Sequence, residues 1–95
     1  MAMTTYLYAK WKNAPADSPV EFYSELDDAR WEKRKVEVFP DGYLGYASSA
    51  SSSNDGTRLA IVALPPLQEI ARQIEFDARA ISAEEFEAVW KRATA

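Results

Sequence analysis

Glu32-Lys33-Arg34-Lys35-Val36-Glu37-Val38-Phe39-Pro40-Asp41-Gly42-Tyr43-Leu44 carries the clearest structural signal in the chain. At Pro40-Asp41-Gly42 proline presets the first turn angle, the aspartate bonds neighbouring backbone, and glycine accepts the positive φ needed where the next strand starts. Glu32 to Phe39 alternates with period two, and Tyr43 to Ala47 returns as its partner strand. Pairing Val38 with Leu44 and Val36 with Tyr46 places the apolar positions on one side.

Working toward the amino terminus, Val20 to Leu26 alternates in the same way and Asp27 to Trp31 is turn-compatible, so a second hairpin is expected. Opposing Val36 to Phe22 and Val38 to Val20 gives a register in which Phe22, Val36, Val38 and Leu44 share one buried face. Glu25 then faces Lys33 and Tyr23 faces Lys35 on the open side, as cross-strand pairs. Arg34 takes the core-facing parity and belongs at the rim, with Glu32, Ser24 or a chain terminus as partners. Tyr6 to Lys12 is a further strand, either face of which suits burial, and Asn13 to Pro19 is a turn-rich connection.

Toward the carboxy terminus, the polar run Ser48 to Gly56 reads as a mobile loop. Leu59 to Leu64 suits a short edge strand. Pro66 opens a short helix with Leu67, Ile70, Ala71 and Ile74 on one stripe. Glu75 to Ala80 is either a strand or an extended connection. Ser82-Ala83-Glu84-Glu85 forms a capping box, flanked by the staple pair Ile81 and Phe86. The helix it starts carries Phe86, Val89, Trp90 and Ala93 on one stripe, with Lys91 and Arg92 in the last turn. Trp90 is expected against the sheet. The fold class is therefore α+β: a four- to five-stranded antiparallel sheet, with the carboxy-terminal helix and the shorter helix packed on one face.

The chain has 95 residues, which suits a single domain over residues 1–95. Its 11 Lys and Arg against 15 Asp and Glu give a net charge of -4, the wrong sign for a phosphate backbone, so no nucleic-acid partner is expected. There is no His and no Cys, which excludes imidazole or thiolate metal sites and Ser-His or Cys-His nucleophile pairs. Glu21, Glu25, Asp27 and Asp28 lack the loop spacing of a calcium site, and Asp55-Gly56-Thr57 lacks the glycines and lysine of a phosphate loop. No metal and no cofactor are expected. Met1 to Thr5 has no basic n-region and leads into no apolar stretch of about 7–15 residues, so no export signal is expected. Leu59 to Leu67 is interrupted by two prolines and falls short of the roughly 20 residues of a membrane helix. A cytoplasmic protein without membrane contact is the expectation.

The open side of the expected sheet collects Tyr23, Lys35, Glu37, Phe39 and Tyr43, with Tyr6 and Tyr8 if the first strand buries Leu7 and Trp11. Tyrosines among paired charges suit a protein interface. The alternative for this face is a helix laid over it, or aromatics that merely stiffen an exposed sheet.

The pattern Tyr23-Ser24-Glu25-Leu26-Asp27, Arg30-Trp31-Glu32, Arg34 to Phe39 and Asp41-Gly42, with Pro65-Pro66-Leu67 and the terminal Ile81-Ser82, Phe86 and Trp90, resembles a family of small bacterial domains of unknown function. That resemblance covers most of the chain and implies a bacterial protein of about this length, with no activity or catalytic residues to carry over. The expectation is a non-enzymatic protein-binding domain, of the kind seen in toxin-immunity proteins, contacting its partner through Tyr23, Lys35, Glu37, Tyr43 and Tyr8. The alternative is a small-molecule-binding or enzymatic domain that uses Arg34, Glu37 and the tyrosines.

Overall fold

The Pro40-Asp41-Gly42 hairpin forms as expected in the computed structural model, which describes residues 3–53 and 56–95. Gly42 has φ 90°, its amide donates to the Phe39 carbonyl at 2.9 Å, and the Tyr43 amide donates to Asp41 Oδ1 at 3.0 Å. The strands it joins, β3 (Glu32–Val38) and β4 (Leu44–Ser48), pair Val38 with Leu44 and Val36 with Tyr46.

With β1 (Thr5–Trp11), β2 (Glu21–Leu26) and β5 (Phe76–Ala80) they form one five-stranded sheet in the order β4-β3-β2-β1-β5, and each of these pairings is antiparallel. Two helices complete the α+β architecture: α1 (Leu67–Arg72) before β5, and α2 (Ala83–Ala93) after it. Glu75 to Ala80 thus resolves as a strand from Phe76 onward. Leu59 to Leu64 is irregular backbone, not a strand.

The β2–β3 register differs from the expected one, and the reason is local. Leu26 pairs with Glu32 as expected at the turn, but the next pair is Glu25 with Arg34, so Lys33 is an extra, bulged residue. Beyond it Tyr23 opposes Val36 and Phe22 opposes Glu37. One inserted residue reverses every later side chain relative to β2. Phe22 therefore lies on the opposite face from Val36, Val38 and Leu44, and the expected single buried face is divided in two. Val36 is fully buried, whereas Phe22, Val38 and Leu44 are half-buried.

Both faces of the sheet are consequently covered. On one, α2 sets Phe86 against Tyr6 and Trp90 against Tyr46, with ring centroids 5.5 and 5.6 Å apart. On the other, Leu7, Ala9 and Phe22 meet Leu64 and Ile70, the latter from α1. The two helices thus flank the sheet from opposite sides instead of sharing one face. Both parities of β1 are used, Leu7 and Ala9 toward α1, Tyr6 and Tyr8 toward the other side. Ile74 lies past the end of α1 and is exposed.

Within the Ser-rich run, residues 51–53 make backbone contacts with the end of β4. Ser53 donates its amide to the Tyr46 carbonyl, the Ser48 amide donates to the Ser51 carbonyl, and Ser52 bridges Ala47, so residues 51–53 double back along β4. Asn54 and Asp55 of that run, like Met1 and Ala2, lie outside the described residues.

The α2 cap forms as read: the Glu85 amide donates to Ser82 Oγ at 3.1 Å while the Glu85 carboxylate reaches back to the Ser82 amide. Phe86 and Val89 are buried and Trp90 is half-buried. In urea melts Ser82→Ala should cost about 1 kcal/mol and Trp90→Ala about 3 kcal/mol. The reverse order would contradict a helix docked through its aromatic stripe.

Candidate functional site

The expected tyrosine and charge surface does not form a single plane. Tyr8 and Tyr23 lie together on the α2 side of the sheet, ring centroids 5.0 Å apart, with Arg79 over the Tyr8 ring at 4.9 Å. Burial, and then the hydrogen bond its hydroxyl donates to Glu21, push the Tyr8 pKa up to about 12. Burial also raises Tyr23. Lys35 and Glu37, carried across by the bulge, are on the opposite face with side chains 13% and 14% exposed. Tyr43 stands apart at the β3–β4 turn, packed on Phe39 at a half-open cavity of about 290 Å³ that also takes in Asp17, Pro40 and Asp41.

Arg34 is not a rim residue but the hub between sheet and helix. Its Nε donates to Glu25 Oε1 at 2.6 Å and its Nη2 to Glu25 Oε2 at 2.9 Å, while Nη1 and Nη2 reach Glu87 on α2. The guanidinium also lies 4.9 Å from the Phe86 ring and 5.1 Å from the Trp90 ring. A planar fork that bonds two carboxylates while stacking on aromatic rings is a task for Arg and not for Lys. The Arg34 bonds hold the Glu25 carboxyl below its ordinary value despite burial, and both carboxylates raise Arg34. These contacts attach α2 to the sheet, so Arg34 is engaged structurally on both sides.

The opposite face holds the less expected arrangement. Residues 57–66 cross it as a strap, tied at several points by side chains. Thr57 Oγ1 donates to Glu37 Oε1 at 3.1 Å, and the Ala60 amide donates to Glu32 Oε1 at 2.7 Å. At the far end Arg30 donates from Nε to the Leu64 and Pro65 carbonyls and from Nη2 to Pro65, while its own carbonyl accepts from the Leu64 amide. Arg30 is aimed by a tight turn in which it holds φ 68° and Asp27 Oδ1 accepts from the Ala29 and Trp31 amides.

Beneath the strap lies a polar cluster. Ser24 donates to Glu32 Oε2 at 2.9 Å, and Lys35 Nζ stands 3.2 Å from Glu32 Oε1 and 3.8 Å from Glu37 Oε2. The Glu32 side chain is only 4% exposed. Ser24, Glu32 and Lys35 form one end of a half-open cavity of about 270 Å³ whose other walls are apolar: Leu7, Ala9, Phe22, Ala60, Leu64, Ile70 and Phe76.

Above the strap the surface is apolar. Ile61 is 89% and Val62 64% exposed, and Trp31, 44% exposed, sits between the two residues that hold this stretch, Arg30 and Glu32. The bonds of Arg30 and Glu32 thus tie the segment that exposes Trp31 to the segment that exposes Ile61 and Val62, at the end of β3 away from the Tyr43 turn. Sequence reading passed over this surface because Leu59 to Leu64 resembled an edge strand and Trp31 a turn residue. The detectable signal was an Ile-Val pair in a segment bracketed by Gly56 and Pro65-Pro66, too short to fold on itself.

The Glu25 geometry sets a pH dependence. Its folded pKa is depressed, so the stabilisation is fully present above the ordinary value of 4.5 and is lost as pH falls through the lower folded value. Denaturant melts of wild type and Glu25→Gln should differ by about 2 kcal/mol near neutral pH, with the difference shrinking as pH drops below 4.5. A difference independent of pH would mean that the carboxylate charge does not hold Arg34.

No curated protein and no solved structure matches the chain at a significant level. A family model does, across residues 5–95, which takes in every strand, both helices, the Arg34 hub and the strap. The chain belongs to the family described as Domain of unknown function (DUF6881).

Proposed function

We propose that this domain is a non-enzymatic binding module that docks a protein partner on the ridge formed by Trp31, Ile61 and Val62. The observation that carries it is the exposure of three large apolar side chains on two segments that the Arg30 and Glu32 bonds tie to each other. Solvent-facing apolar clusters of this kind mark interaction sites, and a Trp flanked by aliphatic side chains is the typical centre of one. Asp28, Lys33 and Arg58 are exposed near it in sequence and provide the polar rim that such interfaces have.

Two further features favour binding over turnover. The chain lacks His and Cys. The titrating groups that shift do so away from neutrality, Tyr6, Tyr8 and Tyr23 upward and Glu25 downward, whereas a general acid or base works best near the operating pH. The net charge of -4 suits a more basic partner, and the finer reading is an immunity-like protein that masks a basic toxin in the cytoplasm. Tyr23, Lys35, Glu37, Tyr43 and Tyr8 lie on two faces and at a far turn, so one flat partner would not touch all five. Of these, Tyr43 is the exposed residue that an extended partner would reach.

The test is affinity capture from the native host with wild type, with Trp31→Ala combined with Ile61→Asn, and with Tyr43→Ala. The ridge variant should keep its melting temperature to within a few degrees and lose a specific protein that the other two retain. Capture unchanged by the ridge variant, or lost only with Tyr43→Ala, would overturn the ridge as the interface.

A further inference from the structure

We propose that two copies of this chain pair in solution through the outer edges of their β5 strands, antiparallel and related by a two-fold axis at Ala78. The sheet ends in two edge strands, β4 and β5. Residues 51–53 double back along β4, with Ser52 bridging Ala47 and the Ser53 amide bonded to the Tyr46 carbonyl. Among the described residues, none does the same for β5. A bare edge accepts another strand unless proline, lysine, a bulge or a covering segment blunts it. Phe76 to Ala80 holds neither proline nor lysine, and its register with β1 runs without a break. The helix α2 packs over β2, β3 and β4, and the Asp77 and Arg79 side chains on β5 remain 67% and 57% exposed.

The phase of the β1–β5 ladder shows which backbone groups face outward. The Lys12 amide donates to the Glu75 carbonyl at 2.7 Å, and the Ile81 amide to the Tyr6 carbonyl at 3.0 Å. Bonded pairs recur at every second residue of an antiparallel ladder. Asp77 and Arg79 therefore turn their amides and carbonyls to β1, and Phe76, Ala78 and Ala80 turn theirs to the free edge. The Phe76 amide is taken by the Gln73 carbonyl at 3.1 Å. The amides and carbonyls of Ala78 and Ala80 and the carbonyl of Phe76 have no partner among the described residues. With the axis at Ala78, each Ala78 exchanges amide and carbonyl with Ala78 of the second copy, and each Ala80 amide reaches the Phe76 carbonyl across from it.

Charge selects this register and a second copy as the occupant. An axis at Ala78 sets Asp77 of each copy opposite Arg79 of the other, in the non-bonded positions where facing side chains approach most closely. Moving the axis by one residue opposes Asp77 to Asp77 or Arg79 to Arg79. Within one copy Asp77 stands 3.5 Å from Lys12 and Arg79 3.4 Å from Glu85, both as exposed pairs. A carboxylate with about four acceptor positions and a guanidinium with several N–H donors can each keep that partner and add another. On the other side of the strand, Phe76 meets the small Ala80 of the second copy.

The test is sedimentation equilibrium of the full chain between about 10 µM and 1 mM, a span that reads dissociation constants in the micromolar range. Wild type should pass from monomer toward dimer, and the Ala78 and Ala80 amides should gain protection from hydrogen exchange as concentration rises. Asp77→Arg and Arg79→Asp each place like charges across the axis and should weaken self-association about tenfold, with melting temperatures held to within a few degrees. An equimolar mixture of the two variants should recover a dimer of near wild-type strength, because each then faces the opposite charges of the other. Ala78→Pro removes the central N–H at an edge position that tolerates proline, and should abolish the dimer. A monomer at every concentration, a dimer indifferent to Ala78→Pro, or a charge-reversal loss that mixing does not restore would overturn the proposal. The β5 edge shares no residue with Trp31, Ile61 and Val62, so failure of either reading leaves the other standing.

Discussion

The bulge at Lys33 is the constraint on which the rest of the structure depends, because a strand has only two sides and one extra residue exchanges them. With Leu26 opposite Glu32 and Glu25 opposite Arg34, the side chains of β3 after the bulge are reversed against β2. Glu25 then has Arg34 directly across the ladder in place of Lys33, and a two-pronged bond replaces a single-point contact. Val36 joins Tyr23 and Tyr46 under α2, while Phe22 goes to the other side with Leu7 and Ala9. A sheet with apolar side chains on both faces must be covered on both. That requirement places α2 on one side, and the strap with α1 on the other.

Each face also carries one cation between two carboxylates, and the contrast between the two shows how residue type shapes the space around it. Arg34 fills its surroundings: the fork engages Glu25 and Glu87, and its plane lies against Phe86 and Trp90. Lys35 is a compact charge on a flexible stem, so it answers Glu32 and Glu37 without occupying the volume beside them. The Arg face is closed by a helix. The Lys face keeps a cavity.

Local chemistry was legible in the sequence wherever a few adjacent residues settle the outcome. The Pro40-Asp41-Gly42 hairpin, the Ser82–Glu85 capping box and the strand character of β1 to β4 follow from backbone preference and short-range bonds, and each forms. The β2–β3 register was not legible past its first pair. Alternation in Val20 to Leu26 and in Glu32 to Phe39 fits either parity, and what selects the bulged one is the fit of Arg34 against Glu87, Phe86 and Trp90, contributed by a helix some fifty positions away. Lys35 and Glu37 looked like solvent-facing charges for the same reason. The strap was illegible because its order comes from Glu32, Glu37 and Arg30 and not from its own residues.

Dependence on those anchors gives the strap its character. Apart from the amide of Leu64, the ties described above run through side chains of β3 and the β2–β3 turn, not through a ladder of backbone pairs. Segments held this way open more readily than paired strands. The turn that aims Arg30 at the strap holds it in left-handed backbone at φ 68°, a conformation that costs an ordinary residue roughly 1–2 kcal/mol, offset by the Asp27 bonds to the Ala29 and Trp31 amides. The same short connection thus leads into the bulge, carries the exposed Trp31, and clamps the segment that exposes Ile61 and Val62 and lines the cavity with Ala60 and Leu64. One turn therefore bears on the bulge, on Trp31 and on the strap together, and because the pairing of Glu25 with Arg34 begins next to that bulge, a substitution at Asp27 would reach the Arg34 hub as well.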